Sequence, residues 1–488
     1  MYSRARAAML FCVVMMLEEK PLYLQVADNV ADLITTGSLR AGDRVPSVRR
    51  LSDQQNVSIP TVLQAYMVLE NRRMIEARPK SGFFVKPRLS DALAEPVASP
   101  RTSKVPWADF HPSIPIVRDL VNPDLVPLGG AIPSPELLPG AKLARIVGKL
   151  AREQTAETVN YDPVPGCLKL RREISRRSLD WGCHLSSEEL VIVNGATEGM
   201  HLALRAVTKP GDTVLIESPT YYGLVHILNQ IGLKAVAVPA SARDGLSIEE
   251  TERALSRHKV AAMTLIPSFN NPLGSLMPEE NRLALLQLAK RYGVPIIEDD
   301  IYGDLQHDGS RPRCLKALDK DNLVILCGSY SKTLAPGYRI GYISPGRFYD
   351  KVVELKIATN WGGAALPALA VAEFLRNGGY DNHLRRIRRT YREQVQKMRE
   401  AIATEFPKPL RISNPQGGFV LWVELPQTID AMQLCAEARK AGISIAPGPI
   451  FSPVGDFRNY IRLSCGFPWS SKIERAIGVL GRLAARLA

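Results

Sequence analysis

The stretch GSYSKTLAPGYRIGY, Gly328 to Tyr342, sets one lysine, Lys332, among small and hydroxyl residues, with Arg339 seven positions further on. Lysines ordinarily line solvated faces. One held in a polar, glycine-bounded turn is placed to use its amine as a nucleophile, since partial burial and a cationic neighbour both ease its deprotonation. Other residues able to do chemistry stand where apolar runs stop. Asp299 closes the run PIIED, and Tyr302 follows three residues later. A carboxylate at the end of a buried strand needs a cationic or proton-bearing partner, because desolvation otherwise disfavours its charge. Asn271 lies in the Pro/Gly-fixed turn NNPLG, and Tyr221, in ESPTYYG, offers an aromatic face. NGATEG opens a helix after a strand, so the main chain of Gly195, Ala196 and Thr197 can receive a phosphate. Taken singly, each of these is as well explained by ordinary turns and core tyrosines.

Together they fit one heterocycle. A pyridinium nitrogen would pair with Asp299, a ring hydroxyl would meet Asn271 and Tyr302, and the ring face would stack on Tyr221. A phosphate would sit at 195–197 with Ser329, Ser331 and Arg339, and an aldehyde would condense with Lys332. Pyridoxal 5′-phosphate has these groups and uses a lysine and an aspartate in these roles. No metal site is expected. The seven cysteines, at 12, 167, 183, 314, 327, 435 and 465, show no paired spacing and read as reduced thiols of a cytoplasmic protein.

Positioning such a set takes an α/β scaffold. ELVIVNG, TVLIES, KAVAVPA, AMTLIPS, PIIED and NLVILCGS are short aliphatic runs, with helical segments such as EGMHLALRAV and EENRLALLQLAKRYG between several of them. That alternation predicts crossover connections and a largely parallel sheet buried on both faces, with ligands at the strands' carboxyl ends. With 488 residues, 45% hydrophobic and 23% charged, the chain reads as globular and as more than one domain. Proline recurs at 87, 96, 100, 106, 112, 115, 123 and 127, so residues 87–127 read as a stiff, extended tether ahead of a body over 128–488.

Residues 20–86 read as a DNA-binding module. The net charge of +13 is unevenly spread: between Arg40 and Arg88 ten Lys/Arg stand against four Asp/Glu, a net +6. PLYLQVADNVADLITTG carries Leu22, Val26, Val30, Leu33 and Ile34 at helical spacing and stops at Gly37. RVPSVRRLSDQQNVSIPTVLQAYMVLENRRMI predicts two helices broken at Asn56-Val57. The first has Pro46 in its opening turn; the second is capped by Ser58 and turns Val62, Ala65, Tyr66 and Leu69 inward. IEARPKSGFFV predicts a hairpin with Lys80 at its tip. This is a winged helix-turn-helix, and Arg49, Arg50, Arg72, Arg73, Arg78 and Lys80 are its exposed cations. Residues 1–19, MYSRARAAMLFCVVMMLEE, imitate a signal peptide but lack a cleavage site and are too short to span a bilayer. An early start codon, with Met15 or Met16 as the true beginning, is the expectation.

PSVRRLSDQQNVSIPTVLQAYMVLE and RPKSGFF resemble the GntR family of bacterial regulators, over Pro21 to Val85. The resemblance implies that Arg49 and the wing, with Arg78 and Lys80, touch phosphate, and that Ser58 and Thr61 face bases. Ile59 stands where many members carry an arginine. From about Leu128 the chain resembles the fold-type I aminotransferases of the kynurenine and 2-aminoadipate subgroup, since N-P-x-G, D-x-x-Y and S-x-S-K-x6-R occur in the expected order. YDPVPGCLKLR matches the segment whose tyrosine, here Tyr161, reaches the phosphate of the neighbouring subunit's site. LGGAIPSPELLP matches the substrate-proximal loop around Gly130, and NYIRLSCG supplies Arg462 for a substrate carboxylate. A homodimer and a smaller C-terminal α+β subdomain are implied. A GntR-type head on such a body is the arrangement of MocR-type regulators. It implies a transcriptional regulator whose body senses an amine, an amino acid or a vitamer; the alternative is a working aminotransferase that carries a DNA-binding head.

Overall fold

The computed structural model describes residues 21–40, 42–72, 74–78, 81–85, 93–98, 105–107, 114–377 and 379–488. The expected early start, Arg73 and the wing-tip Lys80 lie outside them. The chain divides into two compact units, Met1–Ala92 and Leu93–Ala488.

In the first unit α1 (Leu22–Thr35) buries Val26, Ala27, Val30 and Ile34 as one helical stripe. Gly37, at φ +79°, takes the left-handed position beyond its end. α2 (Val48–Gln55) begins under Ser47, whose Oγ accepts the Arg50 N–H at 3.3 Å, and stops at Asn56 with φ 51°. Pro46 therefore precedes the cap instead of opening the helix, and its carbonyl accepts the Tyr66 hydroxyl at 2.6 Å. α3 (Ile59–Asn71), capped by Ser58, packs Val62, Ala65, Tyr66 and Leu69 into the same core. β1 (Ile75–Arg78) and β2 (Gly82–Val85) form the antiparallel wing, Ile75 opposite Val85, and Arg44 bridges to Phe84.

The second unit is built on eight strands: β3 (Val191–Val193), β4 (Thr213–Ser218), β5 (Lys234–Ser241), β6 (Gly245–Leu246), β7 (Val260–Leu265), β8 (Ile296–Asp299), β9 (Val324–Ser329) and β10 (Gly341–Ser344). They form one sheet in the order β3-β10-β9-β8-β7-β4-β5-β6. The central run from β9 to β5 is parallel, β10 is antiparallel to both its neighbours, and β6 folds back on β5. Along β4, Val214 and Ile216 enter one core layer and Leu215 the other, as a sheet covered on both faces requires. The sequence reading found the six aliphatic strands but not β10, whose four residues GYIS directly follow the polar lysine loop. α4 (Ala196–Val207) opens immediately after β3. The long α5 (Gly379–Glu405) leads into a small antiparallel sheet of β11 (Arg411–Ile412), β12 (Val420–Glu424), β13 (Ala446–Pro447) and β14 (Tyr460–Ser464), ordered β11-β12-β14-β13. α6 (Ser471–Leu487) packs on α5. This is the α+β subdomain.

The proline-rich stretch expected to run as an extended tether is fastened where it is described, and it is not extended throughout, since Ile114–Asp119 form a helix. Ile412 N–H donates to Ala94 O at 3.1 Å, Val97 N–H to Glu424 at 3.1 Å, and Glu95 pairs with Arg243 at 3.2 Å. Further on, Ala235 N–H donates to Pro106 O at 3.0 Å. Each proline removes a donor but leaves a carbonyl, so the extended strip can still be held by edges of the body. No helix among the described residues is long and apolar enough to cross a membrane.

Candidate functional site

β9 ends at Ser329 and β10 returns at Gly341, and the loop between them carries Lys332 to the carboxyl end of the parallel strands. α5 clamps that loop one residue on. Tyr380 Oη lies 3.0 Å from Thr333 Oγ1 and 2.8 Å from Asp304 Oδ2, and His383 Nε2 meets Thr333 O at 2.6 Å. Lys332 Nζ donates to Ala131 O at 2.6 Å and stands 5.8 Å from the centre of the Tyr302 ring. Burial, followed by the charge of Arg462, lowers its pKa from 10.5 to about 8; Arg339 adds to this and Asp299 opposes it. At pH 7 the free amine thereby rises from about 0.03% to about 10% of the population, which makes it a usable nucleophile.

Asp299, the last residue of β8, is 1% exposed, and neither of its carboxylate oxygens has a hydrogen-bond partner among the described residues. Burial and then Asp300 push its pKa from 3.8 up to about 7; the nearby Ile301 N–H and Lys332 pull the other way without prevailing. Asp300 itself is engaged, with Arg311 bridging it to Asp304, the latter at 2.7 Å. Tyr302 is as deeply buried, its hydroxyl also unpartnered and its ring edge-on to Phe419 at 5.8 Å. Arg462, from β14, is fully buried; its Nη1 donates to Asn271 Oδ1 at 3.1 Å, its Nη2 to Gly129 O, and its Nε has no partner among the described residues. No carboxylate of the described residues pairs with it. The loop at Gly130 passes so close to Leu120 O that a Cβ would lie 2.3 Å away. Tyr221 lies against Tyr222 with ring centres 4.9 Å apart, folded over Gly223.

The other end of the pocket is built for an anion. Gly195 precedes α4 at φ +81°, and a Cβ there would come 2.4 Å from Arg339 Nη2. The first N–H groups of α4, at Ala196 and Thr197, have no acceptor within the helix. Ser329 Oγ lies 2.9 Å from Ser331 Oγ, and Arg339 donates to Ser331 Oγ at 3.3 Å and to Asn194 O at 3.2 Å. Two hydroxyls, a guanidinium and a helix start on one edge suit a phosphate. Tyr161 stands apart from all of these, 82% exposed, beside the short pairing of Asp162–Pro163 with Gly362–Gly363.

Buried polar atoms without a hydrogen-bond partner are uncommon, since each carries a desolvation penalty. Here they converge on one lysine, and pyridoxal 5′-phosphate is the cofactor that this donor set fits. The sequence reading missed Glu217, the carboxylate one residue before the end of β4. Its Oε2 accepts Ile266 N–H and Asn270 Nδ2, each at 2.8 Å, and burial pushes it up to about 8. The signal that found Asp299, an acid at the end of an aliphatic strand, was present there too.

On the first unit, Arg49 and Arg50 are exposed and have no ion pair among the described residues. Arg72 pairs with Asp28, while Arg78 pairs with Glu76 at 2.9 Å and covers the Phe84 ring at 4.4 Å. Ser58 Oγ caps Thr61 N–H at 3.3 Å and lies 2.8 Å from Thr61 Oγ1, so these two hydroxyls are held to each other.

Head and body define a class: a winged helix-turn-helix joined to a fold-type I aminotransferase body. The family description "Bacterial regulatory proteins, gntR family" matches residues 22–85, and "Aminotransferase class I and II" matches residues 136–480. The HTH-type transcriptional regulator YjiR of Escherichia coli (strain K12) is 35% identical over 464 residues, covering 95% of this chain and 99% of that protein. The probable rhizopine catabolism regulatory protein MocR of Rhizobium meliloti is 28% identical over 430 residues, 88% of this chain and 86% of the relative. Among solved structures, LysN, the α-aminoadipate aminotransferase of Thermus thermophilus, aligns with a TM-score of 0.72 at 30% identity, over 76% of this chain and 95% of that one. That structure is a complex with N-(5′-phosphopyridoxyl)-L-leucine. The chain belongs to the MocR-type subfamily of GntR transcriptional regulators. It is a DNA-binding regulator with an aminotransferase-like body.

Proposed function

We propose that the chain is a cytoplasmic, homodimeric regulator, with residues 20–86 as head and 128–488 as body, that senses a carboxylate-bearing amine through the Lys332 pocket. The observation that carries this is the convergence of unpartnered buried groups of Asp299, Tyr302 and Arg462 on a lysine whose pKa is lowered to about 8. When bound, pyridoxal phosphate supplies an aldehyde that condenses with amines and a ring that withdraws electrons from them. The protein's own part is to hold and to discriminate. Asp299 offers charge to a ring nitrogen, Asn271 and Tyr302 hydrogen bonds to a ring hydroxyl, and Tyr221 a flat face. Gly195, Ala196, Thr197, Ser329, Ser331 and Arg339 receive the phosphate, helped by Tyr161 of a second copy. Arg462, beside Gly130, holds a ligand carboxylate with parallel hydrogen bonds.

A ligand shifts a protein only by its different affinity for two states, so effector and DNA affinities must be coupled. The test is DNA affinity with cofactor alone, with cofactor plus a panel of amino acids, and with Arg462→Ala. A shift that wild type shows and Arg462→Ala lacks supports the sensor. The second reading, a working aminotransferase with a DNA-binding head, draws on Lys332, whose free amine would serve as the base for a ligand α-proton. Rapid turnover to a keto acid with unchanged DNA affinity would favour it.

A further inference from the structure

α3 has two apolar faces, and the core uses only one. Val62, Ala65, Tyr66 and Leu69 are fully buried, whereas Ile59, Leu63 and Met67, four residues apart, are 45%, 44% and 62% exposed. An apolar row along one exposed helix face calls for an occupant. The surroundings identify it. Arg49 and Arg50, at the start of α2, are exposed and without ion pairs among the described residues, and the segment from Arg40 to Arg88 carries ten Lys/Arg against four Asp/Glu. That surface attracts a polyanion. A helix-turn-helix brings the N-terminal end of its second helix to the base edges in the major groove. At that end of α3 the Ser58 and Thr61 hydroxyls are bonded to each other, and beside them Ile59, Pro60, Leu63 and Gln64 are exposed.

We infer that α3 reads A·T base pairs through their thymine C5-methyl groups, which Ile59 and Leu63 cover, with Gln64 bonding adenine. In the major groove only thymine presents a methyl group, and a glutamine amide matches adenine N6 and N7. Ile59 and Leu63 are about 6 Å apart along the helix, so they meet bases about two steps apart at roughly 3.4 Å per step. Met67 lies another turn away from the reading end.

The inference rests on the head binding DNA, and the experiment separates the two. Duplexes are selected from a random library with the full-length chain, and each thymine of the selected half-site is replaced by deoxyuridine, which removes only the methyl group. Two thymines about two steps apart should each lose affinity by about fourfold, the worth of one buried methyl. Ile59→Ala should abolish the effect at one and Leu63→Ala at the other, with salt-dependent binding to unrelated duplex kept. Both side chains are already half in water, and circular dichroism would confirm that the variants fold. Selected duplexes without recurring A·T pairs, indifference to deoxyuridine, or variants as sensitive as wild type would each overturn the inference. So would variants that change the association state and leave base preference alone, because the row would then be a contact between copies. Absence of binding to any duplex at low salt would refute the DNA reading itself.

Discussion

Asp299→Asn in the cofactor-free chain tests whether the pocket is built against the stability of its own fold. The wild-type carboxyl titrates at about 7 when folded, against an ordinary 3.8, chiefly because it is buried. Below the lower value Asp and Asn are both neutral and the two proteins should be equally stable. From there upward the unfolded carboxyl ionises while the folded one keeps its proton, so wild type loses about 1.4 kcal/mol per pH unit relative to the variant. The loss ends near pH 7, where the folded carboxyl ionises as well. Asn should therefore gain about 2 kcal/mol at pH 5 and on the order of 4 kcal/mol at pH 7. All five tryptophans, at 107, 181, 361, 422 and 469, lie in the second unit, so denaturant unfolding followed by their fluorescence reports that unit alone. Adding pyridoxal phosphate should reverse the order, since a cationic ring nitrogen stabilises the Asp carboxylate and gives Asn nothing comparable. A variant no more stable at pH 7, a gain independent of pH, or equal stabilisation of both proteins by the cofactor would refute the reasoning.

Lys332→Ala should remove the borohydride-trapped cofactor adduct seen by mass spectrometry, and an adduct on another lysine would reassign the site. The rate of condensation of the cofactor-free protein with the cofactor should climb with pH and bend near 8, and Arg462→Met should move the bend upward, because Arg462 helps to lower the Lys332 pKa. Arg49→Ala should weaken binding to all duplexes alike and flatten the salt dependence by about one counterion, as measured by gel-shift titration over a salt series. Chains carrying Lys332→Ala and chains carrying Tyr161→Ala, once mixed, should regenerate one site of wild-type cofactor affinity per heterodimer; no recovery would mean that Tyr161 does not serve a second copy.

What the sequence made legible was whatever local covalent geometry decides. A serine before a helical run caps it, a glycine before α4 takes a positive φ, and an acid at the end of an aliphatic strand is buried with it; Ser58, Gly195 and Asp299 follow those rules over a few residues. Contacts made by folding across the chain were not legible. Nothing near Arg462 announces that it will meet Asn271, 191 positions earlier, and nothing near Thr333 announces the clamp from Tyr380 and His383. Prolines predicted an extended segment over 87–127 but could not say that β11 and β12 would hold it through Ala94 and Val97, or that Ile114–Asp119 would form a helix. The same limit applies to α3, and there it points to function. Periodicity marks Val62, Ala65, Tyr66 and Leu69 as a core face, yet Ile59, Leu63 and Met67 are as apolar and obey the same spacing. Only packing shows that, among the described residues, the first set is buried in the core and the second stays about half exposed. Apolar side chains left facing water on the helix that we propose meets base edges are what remains once the core is satisfied, and that remainder is where base preference has to be sought.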